Sequence, residues 1–80
     1  MQARIFVTPR EGILDPQGRA VEGALRSLGI LGVGGVHVGR YIVIELDASS
    51  RADAEAMVRR MCEELLANPN IEDYRFEVEA

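Results

Sequence analysis

Residues 14–29 carry both a start and a stop signal for a helix, and no other stretch constrains the fold as much. Asp15 can cap the first turn through its carboxylate, and Pro16 suits the first helical position, where no N–H is needed. Gly29 can end the helix in a left-handed conformation. The apolar residues between these signals recur at helical spacing, at Val21, Ala24, Leu25 and Leu28. The pattern predicts a helix from about Pro16 to Leu28 whose apolar stripe covers a sheet.

Alternating apolar residues predict strands near the two ends of the chain. In the first, Ala3, Ile5 and Val7 form the buried face, and Phe6 breaks the alternation at a helix or an interface. The last strand is predicted from Ile71 to Glu79, with Tyr74, Phe76 and Val78 inward. Its outward residues are charged, which suits an edge strand: Asp73, Arg75, Glu77 and Glu79.

The segment from 36 to 47 allows two interpretations. A two-residue turn at Gly39 and Arg40 would make a hairpin and separate the apolar residues onto different faces. A single long strand, bulged at Gly39, would keep them on one face, and we prefer it for that reason. At about 3.3 Å per residue the strand would extend roughly 35–40 Å, longer than this domain can cover. It therefore predicts a dimer.

A second helix is predicted to begin after Ser50, where Asp53 completes a weakened capping box, and to end at Asn68 and Pro69. Its predicted buried face consists of Met57, Val58, Met61, Cys62, Leu65 and Leu66. The element order is βαβαβ, or βαββαβ if the hairpin forms. We expect one α+β domain, residues 1–80, with two layers: helices on one face of an antiparallel or mixed sheet, and a long central strand shared across a dimer.

The composition argues against several functions. The net charge is −4, and all nine cationic residues are arginines, so nucleic-acid binding and lysine chemistry are not expected. One histidine, His37, and one cysteine, Cys62, are too few for a zinc site or a converging catalytic set. We expect no catalytic residue, no metal and no bound cofactor. A single cysteine and no membrane-spanning or leader-like segment favour the cytoplasm.

Two features suggest a binding surface. Arg40 and Tyr41 lie at the irregularity of the long strand, and their residue types often anchor interfaces. The helix start is the other: capping explains Asp15 and Pro16 but not Gly18, which would admit another chain or an anion. The candidate interface residues are Asp15, Pro16, Gly18, Arg40, Tyr41, Ile42 and Ile44.

Three blocks carry a family resemblance. They are DPQGxAVxxALxxLG at residues 15–29, VGRY at 38–41 and LLANPNIEDYRFE at 65–77. In sequence and spacing they resemble PurS, the small-subunit family of phosphoribosylformylglycinamidine synthase, a ligase of purine biosynthesis. The resemblance covers the chain from the first strand onward.

The resemblance implies a role in a complex. Its glutaminase subunit (PurQ) releases ammonia from glutamine. Its synthetase subunit (PurL) uses ATP and Mg to convert formylglycinamide ribonucleotide to formylglycinamidine ribonucleotide. This chain would hold the two together and assist ammonia transfer as a homodimer or tetramer, without a catalytic side chain. The alternative from another class is a free-standing ACT-like module, which has a similar length and element order and binds amino acids at a dimer interface.

Overall fold

The computed structural model describes residues 1–10 and 15–79; Leu14, at the start of the predicted helix signal, lies outside them. The elements are β1 (Gln2–Pro9), α1 (Pro16–Ser27), β2 (Arg40–Glu45), α2 (Arg51–Met61), a π-helical turn (Cys62–Leu66) and β3 (Glu72–Glu79). Both helix starts agree with the sequence, because Asp15 and Ser50 are the caps. Gly29 has a positive φ of 80°, as expected after a helix.

The sheet has three antiparallel strands in the order β2-β1-β3, so β1 is central and β3 is an edge. One face packs against α2. The buried core on that face consists of Ala3, Ile5, Val7, Ala54, Val58, Cys62, Ala67 and Val78. The predicted parity of β1 and β3 is thus confirmed.

The buried face of α2 differs from prediction at two residues. Leu65 is 82% exposed and Met57 is 39% exposed, so neither belongs to the core. The π-helical turn explains Leu65, because its backbone bond runs from the Ala67 N–H to the Cys62 carbonyl. In this wider turn residues four and five apart share a face, which turns Leu66 and Ala67 inward and Leu65 outward.

Helix α1 does not cover the sheet, so that prediction is wrong. Its stripe is open to solvent at Val21 and at Leu28, which is 74% exposed, and it adds no residue to the core. Instead the start of α1 lies against the segment that returns to the sheet, where a β-carbon on Gly18 would overlap the Val36 carbonyl oxygen and the Val38 N–H donates to Asp15. We call residues 15–39 the arm. The Cα radius of gyration is 16.0 Å and the longest dimension is 51 Å. A compact chain of this length would have a radius of gyration of about 12 Å.

The second strand is shorter than the single strand predicted over 36–47. It spans Arg40–Glu45, and neither a hairpin nor one strand over 36–47 forms within the described residues. In the register that places Val7 opposite Arg40, Val38 would face Pro9, which has no N–H to extend the ladder. The alternation itself persists: Val36 and Val38 are half-buried, as are Ile42 and Ile44.

Candidate functional site

The three sequence blocks meet at one end of the sheet. A cleft of about 660 Å³ lies between the sheet and the two ends of the arm, which are the start of α1 and residues 38–39. The cleft is lined by the start of α1, the residues that lead into β2, the end of β1 and the start of β3. These lining residues are Pro9, Asp15, Pro16, Gln17, Val38, Gly39, Arg40, Ile71 and Glu72. Segments far apart in sequence therefore form one surface here.

Asp15 joins the start of α1 to the segment of the arm that returns to the sheet. Its Oδ1 accepts from the Gly18 N–H at 3.0 Å, and its Oδ2 accepts from the Val38 N–H, also at 3.0 Å. The His37 imidazole Nδ1 lies 3.8 Å from the same Oδ2. The Gly18 bond, followed by the Val38 bond and the His37 charge, lowers the pKa of Asp15. The carboxylate is thus both a helix cap and a crosslink.

Gly18 is required by a contact inside the chain. It is buried, and a β-carbon there would overlap the Val36 carbonyl oxygen and lie 2.5 Å from Asp15 Oδ2. The close neighbour is therefore this chain's own backbone, where the sequence suggested another chain or an anion. Pro16, one residue after the cap, is exposed and lines the cleft.

Arg40 spans the floor of the cleft. Its Nη2 donates to the Leu66 carbonyl at 2.7 Å and to Glu72 Oε1 at 3.0 Å. Glu72 also accepts from the Asn68 N–H at 2.8 Å and is only 16% exposed. The Asn68 bond, with a smaller contribution from Arg40, lowers the pKa of Glu72. Arg40, the first residue of β2, thus joins that strand to the π-helical turn after α2 and to the start of β3.

Tyr41 points to the opposite face of the sheet, which no helix covers in the described chain. Its ring centroid lies 5.0 Å from that of Phe6. The Arg75 guanidinium stands 4.0 Å above the Phe6 ring on the other side. Tyr41 is 57% exposed and its neighbour Val43 is 47% exposed. This face therefore has an exposed aromatic and aliphatic patch next to the ion pairs of Arg4 with Glu77 and Glu79.

The remaining candidates lie elsewhere. Ile42 and Ile44 are half-buried and pack against the core under α2. The structure therefore brings Asp15, Pro16 and Arg40 together at the cleft and places Gly18 beside it, but separates Tyr41, Ile42 and Ile44 from them. Their role at an interface stays a prediction. Glu72 was missed by sequence reasoning, although it lies inside the third block.

The single cysteine and the single histidine of the sequence lie in different parts of the molecule. Cys62 is fully buried in the core, and burial raises the pKa of its thiol. His37 is on the exposed side of the arm. Within residues 1–10 and 15–79 no group of three potential metal ligands comes together. In the same part of the chain no helix has the length and apolar character to cross a membrane.

The fold and the cleft define a small α+β protein in which charged side chains hold its own elements together while an apolar arm extends from the sheet. Residues 2–80 match the family model described as PurS, phosphoribosylformylglycinamidine (FGAM) synthase. The chain belongs to the PurS family.

Individual relatives agree. The phosphoribosylformylglycinamidine synthase subunit PurS of Bacillus subtilis is 45% identical over 78 residues, which cover 98% of this chain and 92% of the relative. The corresponding Synechocystis subunit is 47% identical, over 96% of this chain and 77% of its own length.

Solved structures give the same result. Bacillus subtilis PurS superposes with a TM-score of 0.88 at 44% identity, covering 99% of this chain and 98% of that one. A chain of the Thermotoga maritima PurLQS structure superposes with a TM-score of 0.85 at 34% identity, covering 95% and 93%. These matches favour the PurS resemblance over the ACT-like alternative.

Proposed function

We propose that this chain is the non-catalytic small subunit of a phosphoribosylformylglycinamidine synthase, bridging the glutaminase (PurQ) and synthetase (PurL) subunits and assisting ammonia transfer between them. Membership of the PurS family supports the assignment to this ligase, and the similarity to a chain of the Thermotoga PurLQS structure supports a place in such a complex. ATP, Mg and glutamine would be used by the complex and not bound by this chain. Residues 1–80 would act as one domain in the cytoplasm.

The observation that carries the assembly role is the unpartnered arm. Leu28 and Leu31 are 74% and 92% exposed at its far end, and Val21 and Ile30 are exposed beside them. Leaving four aliphatic side chains in water forgoes the burial that stabilises small domains. An exposed apolar surface on so small a chain marks a contact with another chain.

A second copy of this chain is the occupant that we propose for the arm. The half-buried parity of Val36 and Val38 continues into β2, so the returning segment of the arm has the side-chain pattern of a strand without a partner strand in its own sheet. Pairing in a second copy's sheet would complete that strand and cover the apolar stripe of α1. β2, an edge strand of six residues within the chain, would then be extended into a long strand shared across a homodimer. Two such dimers would give a tetramer.

The test is amination of formylglycinamide ribonucleotide by the matching synthetase and glutaminase subunits, with and without this chain. The assay is run with glutamine and, separately, with ammonia supplied directly. We expect glutamine-driven turnover to require the chain and ammonia-driven turnover to proceed without it. If the chain changes turnover neither with glutamine nor with ammonia, the proposal is contradicted.

A further inference from the structure

Helix α2 lies toward the β3 edge of the sheet face on which it packs. The Tyr74 hydroxyl donates to Glu63 at 3.1 Å, and the Arg59 guanidinium lies 5.6 Å from the centroid of the Phe76 ring. Both aromatic residues belong to β3, whereas β2 forms the opposite edge of the sheet. The same face is therefore covered less over β2.

The burial of the sheet residues shows this difference. On β2, Ile42 and Ile44 are only half-buried. The residues paired with them on β1, Ile5 and Ala3, are fully buried. The outer part of β2 thus carries apolar side chains that another element could cover.

The side of α2 nearest to β2 is apolar as well. At about 100° per residue, Met57 and Met61 project from the opposite side of the helix to Arg59 and Glu63. Since Arg59 and Glu63 reach β3, the two methionines lie toward β2. A groove of about 280 Å³ follows them, lined by Met57, Arg60, Met61 and Glu64. We call Ile42, Ile44, Met57 and Met61 the receiving site.

Helix α1 has a surface that matches this site. Val21, Ala24 and Leu28 recur at helical spacing and are exposed. The two helices have 12 and 11 residues, so their apolar sides can meet along the whole length of each. Methionine side chains adapt readily to the shape of such a partner.

A short turn cannot bring the chain's own α1 onto the receiving site. The ladder between β1 and β2 includes Arg40, opposite Val7, so only Gly39 separates Val38 from the strand. A hairpin connection needs at least two residues. A turn that used both Gly39 and Arg40 would turn Val38 to the open face, where Tyr41 lies. The site is therefore left to the arm of another molecule.

We propose that the receiving site binds α1 of a second copy of this chain. The proposal rests on the homodimer of the proposed function and adds the surface on which each arm is bound. In a two-fold dimer the second copy's residues 33–38 run antiparallel along the free edge of β2, and Val36 and Val38 stay on the face of Ile42 and Ile44. Each copy thus supplies a second helix to the other's sheet.

Cross-linking between copies tests the proposal. Chains with Val21→Cys or Leu28→Cys are refolded together with Met57→Cys chains, all in a Cys62→Ala background, and treated with a short bismaleimide. The matched control uses Arg59→Cys, on the other side of α2, in place of Met57→Cys. We expect a covalent dimer with Met57→Cys and loss of that product with Arg59→Cys.

Sedimentation equilibrium of the same samples separates the failures. A dimer in which Met57→Cys and Arg59→Cys cross-link equally, or in which neither does, overturns the receiving site and leaves the homodimer standing. A monomer overturns both the site and the homodimer. The amination assay then decides separately whether the chain serves the synthase.

A longer connection before β2 gives a second test. Inserting Asn-Gly after Gly39 makes a three-residue connection, which is enough for a hairpin, so the arm can return to its own sheet. We expect this variant to shift from dimer to monomer. The control carries the same insertion after Gly32, at the far end of the arm, and should remain dimeric. Equal dimerisation of the two variants would contradict the exchange of arms between copies.

Discussion

Gly18 rests directly on the carbonyl oxygen of Val36, and a β-carbon on Gly18 would overlap that oxygen. The contact joins the first turn of α1 to the segment that returns to the sheet. It also leaves space for the Asp15 carboxylate, which reaches the Val38 N–H beside it. One missing side chain thus allows the helix and the returning segment to pack backbone to backbone.

Replacing Gly18 by Ala should destabilise the arm. Helix propensity alone would favour Ala by roughly 0.5–1 kcal/mol, but the overlap with Val36 should cost about 1–3 kcal/mol. The matched control is Gly23→Ala in the same helix, where a β-carbon would meet nothing within 4 Å. We expect opposite signs in chemical unfolding followed by circular dichroism and in hydrogen exchange of the α1 amides. Equal shifts in both variants would contradict the packing.

Acid should loosen the arm through Asp15. Its pKa is lowered in the folded chain by the Gly18 and Val38 bonds and by the His37 charge. A lowered folded pKa means that the stabilisation is complete above the unfolded value of about 4 and is lost as the pH falls through the folded pKa. Protection of the Val38 amide against exchange should therefore decline below about pH 4.

The control for this pH dependence is Asp15→Asn. The Asn side chain has one acceptor oxygen, so it can keep one of the two amide bonds, and it does not titrate. We expect weaker protection of Val38 at neutral pH and no further decline that depends on residue 15 in acid. A variant with the wild-type acid profile would assign the titration to another group, of which Glu72, with its lowered pKa, is the first to examine.

Local rules made much of the fold predictable. The caps at Asp15 and Ser50 are formed by bonds to residues three positions on, Gly18 and Asp53, so the sequence around each helix start contains the necessary information. Strand parity is equally local, and β1 and β3 followed it. The end of α2 could not be foreseen because a π-helical turn changes the spacing after Cys62.

The packing of the arm and the hydrogen bonds of Arg40 depend on contacts between distant residues. An apolar stripe predicts that α1 is covered but does not say by what, and here its own sheet does not cover it. The partners of Gly18 and Arg40 are 18 and 32 residues away, at Val36 and Glu72. Sequence reasoning identified both residues as unexplained or interface-like. Only the folded chain supplies their neighbours.

Cys62→Ala should leave the function of the complex intact. The thiol is fully buried beside Val58 and acts as a small apolar group, so its loss should cost about 1 kcal/mol of unfolding free energy. Val58→Ala should cost about 2 kcal/mol as a core control. Glutamine-driven turnover with folded Cys62→Ala should equal wild type, and the native thiol should react slowly with Ellman's reagent. Loss of turnover in the folded variant would assign Cys62 a chemical role.

Tyr41→Ala should weaken association more than folding. The ring is 57% exposed and packs on Phe6 from the open face of the sheet, so its removal should cost the monomer only about 1 kcal/mol. If this face meets another subunit, capture by immobilised synthetase and glutaminase, or dimerisation, should fall at least about tenfold, as for a buried aromatic anchor. Tyr41→Phe keeps the ring and should behave as wild type. Unchanged capture and unchanged dimerisation in Tyr41→Ala would exclude this face from both contacts.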